Sequence, residues 1–231
     1  MILRAAFLCA ALSAGAASAE ITAAQYDSET KRYDHGILGD KVEFGALVLT
    51  LKSGTRLRLT LPETRVFEDL APRLADLDGD GLPEVIVVET DIALGAQLAV
   101  YGEAGKIAAT PFIGRTHRWL APVGAADLDG DGHVEIAYVE TPHLGKTLKI
   151  VRLEGDRLVP VAMAKGLTNH KIGDPFIQGS IADCDGHPTI LTADASWARV
   201  MATTLAKGKL SSRDLGRYTG PASLDALAIC R

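Results

Sequence analysis

The sequence predicts an all-β fold, a small β-propeller of four blades with about four antiparallel strands each. Three observations predict it. The phrase "ADLDGDGLPEVIVVET" at residues 75–90 returns as "ADLDGDGHVEIAYVET" at 126–141, with Asp76 and Asp127 standing 51 residues apart. Each copy is followed by a second apolar segment and then by two alternating segments joined at a tight Gly turn. Helical periodicity is nearly absent over this region, and four strands in roughly 50 residues is the period of a propeller blade.

The elements follow in order. Residues 1–19, "MILRAAFLCAALSAGAASA", carry one basic residue, a short apolar run and small residues at Ala17 and Ala19, the pattern of a secretory signal peptide cleaved after Ala19. The apolar run is well short of the roughly 20 residues that a membrane span needs. Residues 20–231 are expected to form a single domain, since 212 residues suit one core better than two. Removing Arg4 with the leader leaves 23 basic against 29 acidic residues, a net charge of −6, which disfavours nucleic acid and anionic membrane surfaces as partners. No other stretch reaches spanning length.

"AQYDSETKRYDHG" reads as a possible strand, and "EFGALVLTLKSGTRLRLTL" (Glu43 to Leu61) as an outer hairpin of an opening unit that lacks an inner strand of its own. The hairpins "QLAVYGEAGKIAAT", "TLKIVRLEGDRLVPVAMA" and "RVMATTLAKGKLSS" close the later units. A third, shortened copy of the aspartate phrase, "IADCDGHPTILTADAS", keeps Asp183 and Asp185 but places Gly186 and His187 where further carboxylates would stand; it is not expected to be a site. The terminal "ASLDALAICR" aligns with "GSIADCDG", so the last strand is expected to complete the first blade as a closure that removes exposed sheet edges. Cys184 and Cys230 then end neighbouring inner strands. In an oxidising compartment they read as one disulfide, worth about 4 kcal/mol as an upper figure for a loop of about 46 residues.

The aspartate phrase is where the chemistry lies. Counting from Asp76, carboxylates fall at positions 1, 3 and 5 (Asp76, Asp78, Asp80), Gly81 at 6, the Leu82 carbonyl at 7 and Glu84 at 9. The second loop gives Asp127, Asp129, Asp131, Gly132, the His133 carbonyl and Glu135. Oxygen ligands at alternate positions with a turn-forming glycine are the first half of a Ca²⁺ loop. An EF-hand would need a glutamate at position 12 between helices, but Val87 and Ala137 stand there within strand-like runs. A donor set without His or Cys nitrogen or sulfur favours Ca²⁺ over zinc or copper, and Mg²⁺, with its stricter octahedron, ranks second. An ordinary acidic turn is the competing reading.

"DLDGDGLPEV" and "DLDGDGHVEI" resemble FG-GAP or VCBS-type repeats, the blade units of integrin α-subunit propellers and of many exported bacterial proteins. The resemblance is specific over the two loops, weaker over the third copy and absent over residues 20–35. It implies that each loop joins the first two strands of a blade and binds Ca²⁺. The chain departs in length, four blades being counted against seven in integrins.

No catalytic constellation stands out. His35, His117, His133, His143, His170 and His187 fall in different loops or turns, and no G-x-S-x-G elbow occurs. Asp27, Glu29 and Asp34 read as an exposed acidic turn rather than a glycosidase pair. Trp119 and Trp197 read as packing between blades. The expected function is an exported, non-enzymatic Ca²⁺-binding propeller serving as a binding or scaffold module for a protein or glycan partner, periplasmic or secreted. The alternatives are an exported enzyme acting on polysaccharide or phosphoester, or a lectin-like sugar binder.

Overall fold

The computed structural model describes residues 19–184 and 187–227. Residues 1–18 of the expected signal peptide, Asp185, Gly186 and Cys230 lie outside them, and so does the expected Cys184–Cys230 pairing. The strands are β1 (Ile21–Thr30), β2 (Glu43–Leu51), β3 (Arg56–Thr60), β4 (Arg65–Phe67), β5 (Arg73–Ala75), β6 (Glu84–Asp91), β7 (Gly95–Gly102), β8 (Gly105–Ala109), β9 (Leu120–Ala126), β10 (Glu135–Glu140), β11 (Thr147–Glu154), β12 (Arg157–Lys165), β13 (Leu167–Thr168), β14 (Ser180–Cys184), β15 (His187–Asp194), β16 (Arg199–Ala206) and β17 (Lys209–Arg217). A single short helix, α1 (Ala222–Leu227), follows.

Among the described residues every strand pair is antiparallel and the fold is all-β apart from α1. The three predicted hairpins are β7–β8, β11–β12 and β16–β17, and the opening hairpin is β2–β3. The strands β9 to β12 form one sheet, and β13 to β17 another, in which β14 and β13 both pair with β15. The remaining eight strands form one continuous sheet because β4 pairs with β2 at Phe44–Phe67 and with β6 at Arg65–Asp91 to Phe67–Glu89.

Successive sheets stack face to face, and the period-2 side-chain alternation of a strand decides which residue faces which neighbour. On β6, Val85 and Val87 pack toward β1 and β2, while Ile86 and Val88 pack toward β9 and β10. On β10, Ile136 and Tyr138 face back toward β6, whereas Ala137 and Val139 face β15. Both faces are buried, which is why these strands read as nearly continuous apolar runs instead of alternating ones. Each core side chain removed from water contributes about 1.5–3 kcal/mol.

Two expectations about the ends are corrected. The opening unit does have a third strand, since β1 pairs with β2 along almost its whole length. β1 lies on one edge of β2, and β3 and β4 lie on the other. The terminal segment is instead helical over Ala222–Leu227 and docks on β15 to β17, with Leu224 packed against Ala193, Val200 and Tyr218. The first and last units approach each other through loops: a Cβ on Gly39 would lie 3.2 Å from the Gly173 carbonyl.

Candidate metal centres and the histidine face

Each aspartate loop links the first strand of a four-stranded unit to the second, β5 to β6 and β9 to β10. The chain winds by Asx turns. Asp76 accepts the amides of Gly79 (2.8 Å) and Gly81 (3.0 Å), and Asp127 those of Gly130 (2.8 Å) and Gly132 (2.9 Å). Those four glycines hold φ between 75° and 89° with open space where a Cβ would stand, so the backbone conformation, not crowding, demands glycine. The closing glutamates are pinned identically: Glu84 Oε2 accepts Leu77 N–H and Glu135 Oε2 accepts Leu128 N–H, both at 2.8 Å.

This winding brings carboxylate oxygens of Asp76, Asp78 and Glu84, and of Asp127, Asp129 and Glu135, within 4.8 Å of one another. Among the described residues no other His, Cys, Asp or Glu group converges so tightly. Burial and the neighbouring Asp78, Asp80 and Asp76 raise the Glu84 pKa, and burial likewise raises that of Glu135. Asp129 Oδ1 is buried and accepts no hydrogen bond, a lone-pair site suited to a hard cation. Asp80 and Asp131 stand outside the two convergent groups, Asp80 accepting Leu82 N–H at 2.8 Å and Asp131 accepting His133 N–H at 3.0 Å.

The loops differ in one residue that sequence reasoning missed. Arg152 on β11 is opposite Glu135. Its guanidinium bonds Glu135 Oε1 through Nε at 2.6 Å, and lies 2.9 Å from Asp131 Oδ2 and 3.6 Å from Asp129 Oδ1. In the first loop the same register, one step beyond the Val85–Tyr101 pair, puts Gly102 opposite Glu84. No lysine or arginine among the described residues forms an ion pair with Asp76, Asp78, Asp80 or Glu84. The signal was present in the hairpin spacing between Glu135 and Arg152, but only a known register reads it.

In the third copy, residues 185 and 186 lie outside the described ones. Cys184 pairs with His187, so β14 and β15 join with only residues 185 and 186 between them, too few to encircle an ion.

The structure gathers histidines that are far apart in sequence. His35 stacks on His117 (5.0 Å between centroids), and His143 and His170 meet edge-on at 5.1 Å beside Trp119. His170 Nε2 lies 2.9 Å from the Asp174 carbonyl, which can only accept, so Nε2 carries the proton. In neutral His170, Nδ1 then accepts from His143 Nε2 at 2.9 Å. Burial lowers both pKa values, that of His143 to about 4. His35 Nδ1 is 2.5 Å from fully buried Glu68, which also accepts from Thr90 Oγ1 at 2.6 Å. Trp119, buried, donates Nε1–H to the Glu68 carbonyl at 2.8 Å and so ties β9 to the segment after β4. Trp197 does not match it in position: it sits in the β15–β16 turn against Tyr218, with the Lys171 ammonium 4.7 Å above its ring. Asp27 and Glu29 lie on β1 rather than in a turn. Asp27 pairs with Arg58, and Asp34, beyond the strand, with His117 at 3.1 Å.

Residues 76–138 match the family profile of the FG-GAP-like repeat. The chain carries an FG-GAP-like repeat. The matched segment begins at Asp76, spans both aspartate loops and ends within β10. No curated protein matches the chain. Among solved structures it is similar to the rhamnogalacturonan lyase YesW, with 16% identity and a TM-score of 0.43, over 78% of this chain and 43% of that one. The FG-GAP-repeat chain therefore spans less than half the length of that enzyme.

Proposed function

We propose that this protein is an exported Ca²⁺-binding β-propeller module that presents a surface to a protein or glycan partner and has no catalysis of its own. The four units β1–β3, β5–β8, β9–β12 and β14–β17 are its blades. The observation that carries the reading is the pair of matching wound loops, each drawing three carboxylates together, one of them a buried glutamate, with Asp129 Oδ1 left without a hydrogen bond. In the first loop Asp76, Asp78, Asp80, the Leu82 carbonyl and Glu84 would hold the ion; in the second, Asp127, Asp129, Asp131, the His133 carbonyl and Glu135. The ion supplies the positive charge that the first loop otherwise lacks. What the chain's own residues do is fix the turn between the first two strands of a blade. No helix among the described residues is long and apolar enough to cross a membrane.

The test is a Ca²⁺ titration of metal-stripped protein by calorimetry together with thermal melting. Saturable binding that raises the melting temperature is expected. Melting identical in Ca²⁺ and in EGTA would end the proposal. Activity panels on polysaccharides and phosphodiesters separate the module from an enzyme, and a glycan array identifies a sugar partner.

A further inference from the structure

A cleft of about 340 Å³ lies where the loop before β2, the start of β2, the segment after β4 and the stretch around Pro175 meet. None of its residues belongs to either aspartate loop. Its polar wall is acidic: Glu29 from β1, Asp40 from the preceding loop, Glu43 from β2 and Asp69 after β4. Phe44 and Leu70 supply apolar wall beside them, and Leu70 is 45% exposed.

The carboxylates are not equivalent. Asp69 is neutralised by Arg73 at 2.5 Å. Neither Glu29 nor Asp40 forms an ion pair among the described residues; Asp40 accepts only the Val42 amide, at 3.0 Å. Glu43 is the unusual member. It is 4% exposed, lines the cleft, and has neither a hydrogen bond nor an ion pair among the described residues. A carboxylate this largely buried, open only to the cleft and paired with no protein group, is costly to ionise. Burial raises the Glu43 pKa to about 9, and the charges of Glu68, Asp40 and Asp69 add to the rise. Glu68 is itself held by His35.

We propose that this cleft binds an alkylammonium group, its charge received by Glu43, Asp40 and Glu29 and its apolar stem lying along Phe44 and Leu70. A divalent ion fits less well, since these carboxylates do not converge as those of the two loops do. A compact cation on a hydrocarbon stem matches both walls at once, and the cation turns the unpartnered carboxyl into half of an ion pair. Binding therefore expels the Glu43 proton to solvent, and the ligand selects the ionised form.

The experiment is isothermal titration calorimetry on the Ca²⁺-saturated protein with four probes: N-acetyl-lysine methylamide, cadaverine, the neutral N-acetyl-norleucine methylamide, and further Ca²⁺ alone. Because Glu43 pairs with the cation only when ionised, affinity for the ammonium probes should rise with pH, by up to about tenfold per unit, from pH 6 to 8 and level off near 9. At pH 7.5, titrations in HEPES and in Tris should report release of about one proton per ligand. Glu43→Gln should abolish both the pH slope and the proton release, and at pH 9 should weaken binding more than tenfold without lowering the melting temperature. Preference for the lysine amide points to a peptide side chain as the natural source, and preference for cadaverine to a free amine. Affinity independent of pH, binding no tighter than that of the norleucine amide, displacement of the amine by Ca²⁺, or absence of proton release from the unmodified protein would each overturn the proposal.

Discussion

Arg152 makes the two aspartate loops unequal, and Arg152→Gln is the perturbation that measures by how much. Its guanidinium lies 2.9 Å from Asp131 and 3.6 Å from Asp129, oxygens offered to the ion, so a bound Ca²⁺ would sit on the order of 4 Å from a like charge. One pair of unit charges at that separation interacts by about 1 kcal/mol in water, so a divalent ion against one guanidinium costs about 2 kcal/mol at the aqueous limit. That figure corresponds to roughly thirtyfold in affinity. The unmodified protein should therefore show two Ca²⁺ constants, with the first loop tighter by about that factor. Arg152→Gln should bring the second constant up to the first. Calorimetry, with Asp76→Asn paired to Asp78→Asn to silence the first loop, resolves the assignment. The same variant should melt lower than the parent in EGTA, where the carboxylates lose their one cation, and not in millimolar Ca²⁺. Two identical constants in the parent, or a second constant unmoved by the substitution, would refute the reasoning.

Three further outcomes follow from the same geometry. Ca²⁺ at a hundredfold over its dissociation constant should stabilise by about 2.7 kcal/mol per site, roughly 5–10 °C in melting temperature for a chain of this size, and EGTA should reverse it. Because burial holds His143 at about pKa 4, below its unfolded value, the unfolded chain binds the extra proton between pH 6.5 and 4. Stability should thus be full above pH 6.5 and fall by about 1–2 kcal/mol, after allowance for solvent reach, as pH drops to 4; His143→Gln should flatten that limb in urea melts. Trp119→Phe removes the Nε1–H hydrogen bond to the buried Glu68 carbonyl and shrinks a fully packed ring, and should cost about 2–4 kcal/mol by urea unfolding with an unchanged m-value.

Much of the architecture was legible because it repeats. A 51-residue period, Gly-centred turns and unbroken apolar runs such as "EVIVVET" locate β5 to β12 nearly residue by residue. What escaped depends on register and on long-range meeting. The second loop's guanidinium arrives from a strand 17 positions beyond Glu135, and an apolar run says nothing of which residue on the next strand stands opposite it. His35, His117, His143 and His170 come together because they occupy loops on one face, and no local spacing encodes that. The tail "ASLDALAICR" aligned with an inner strand by its cysteine, but Ala, Ser, Leu and Asp in sequence after Pro221 suit a short helix equally well. Glu43 read as an ordinary strand-initiating residue; only burial by the loops before β2 and after β4 gives it its charge problem.

The three residues of β4 carry a mechanical consequence. By pairing with β2 and β6 together, they run a single hydrogen-bonded ladder through the first two units, while the sheets that follow share no strand pair with their neighbours. Under load the N-terminal half should then yield as one block, and the sheets beyond it should swing or peel like separate leaves.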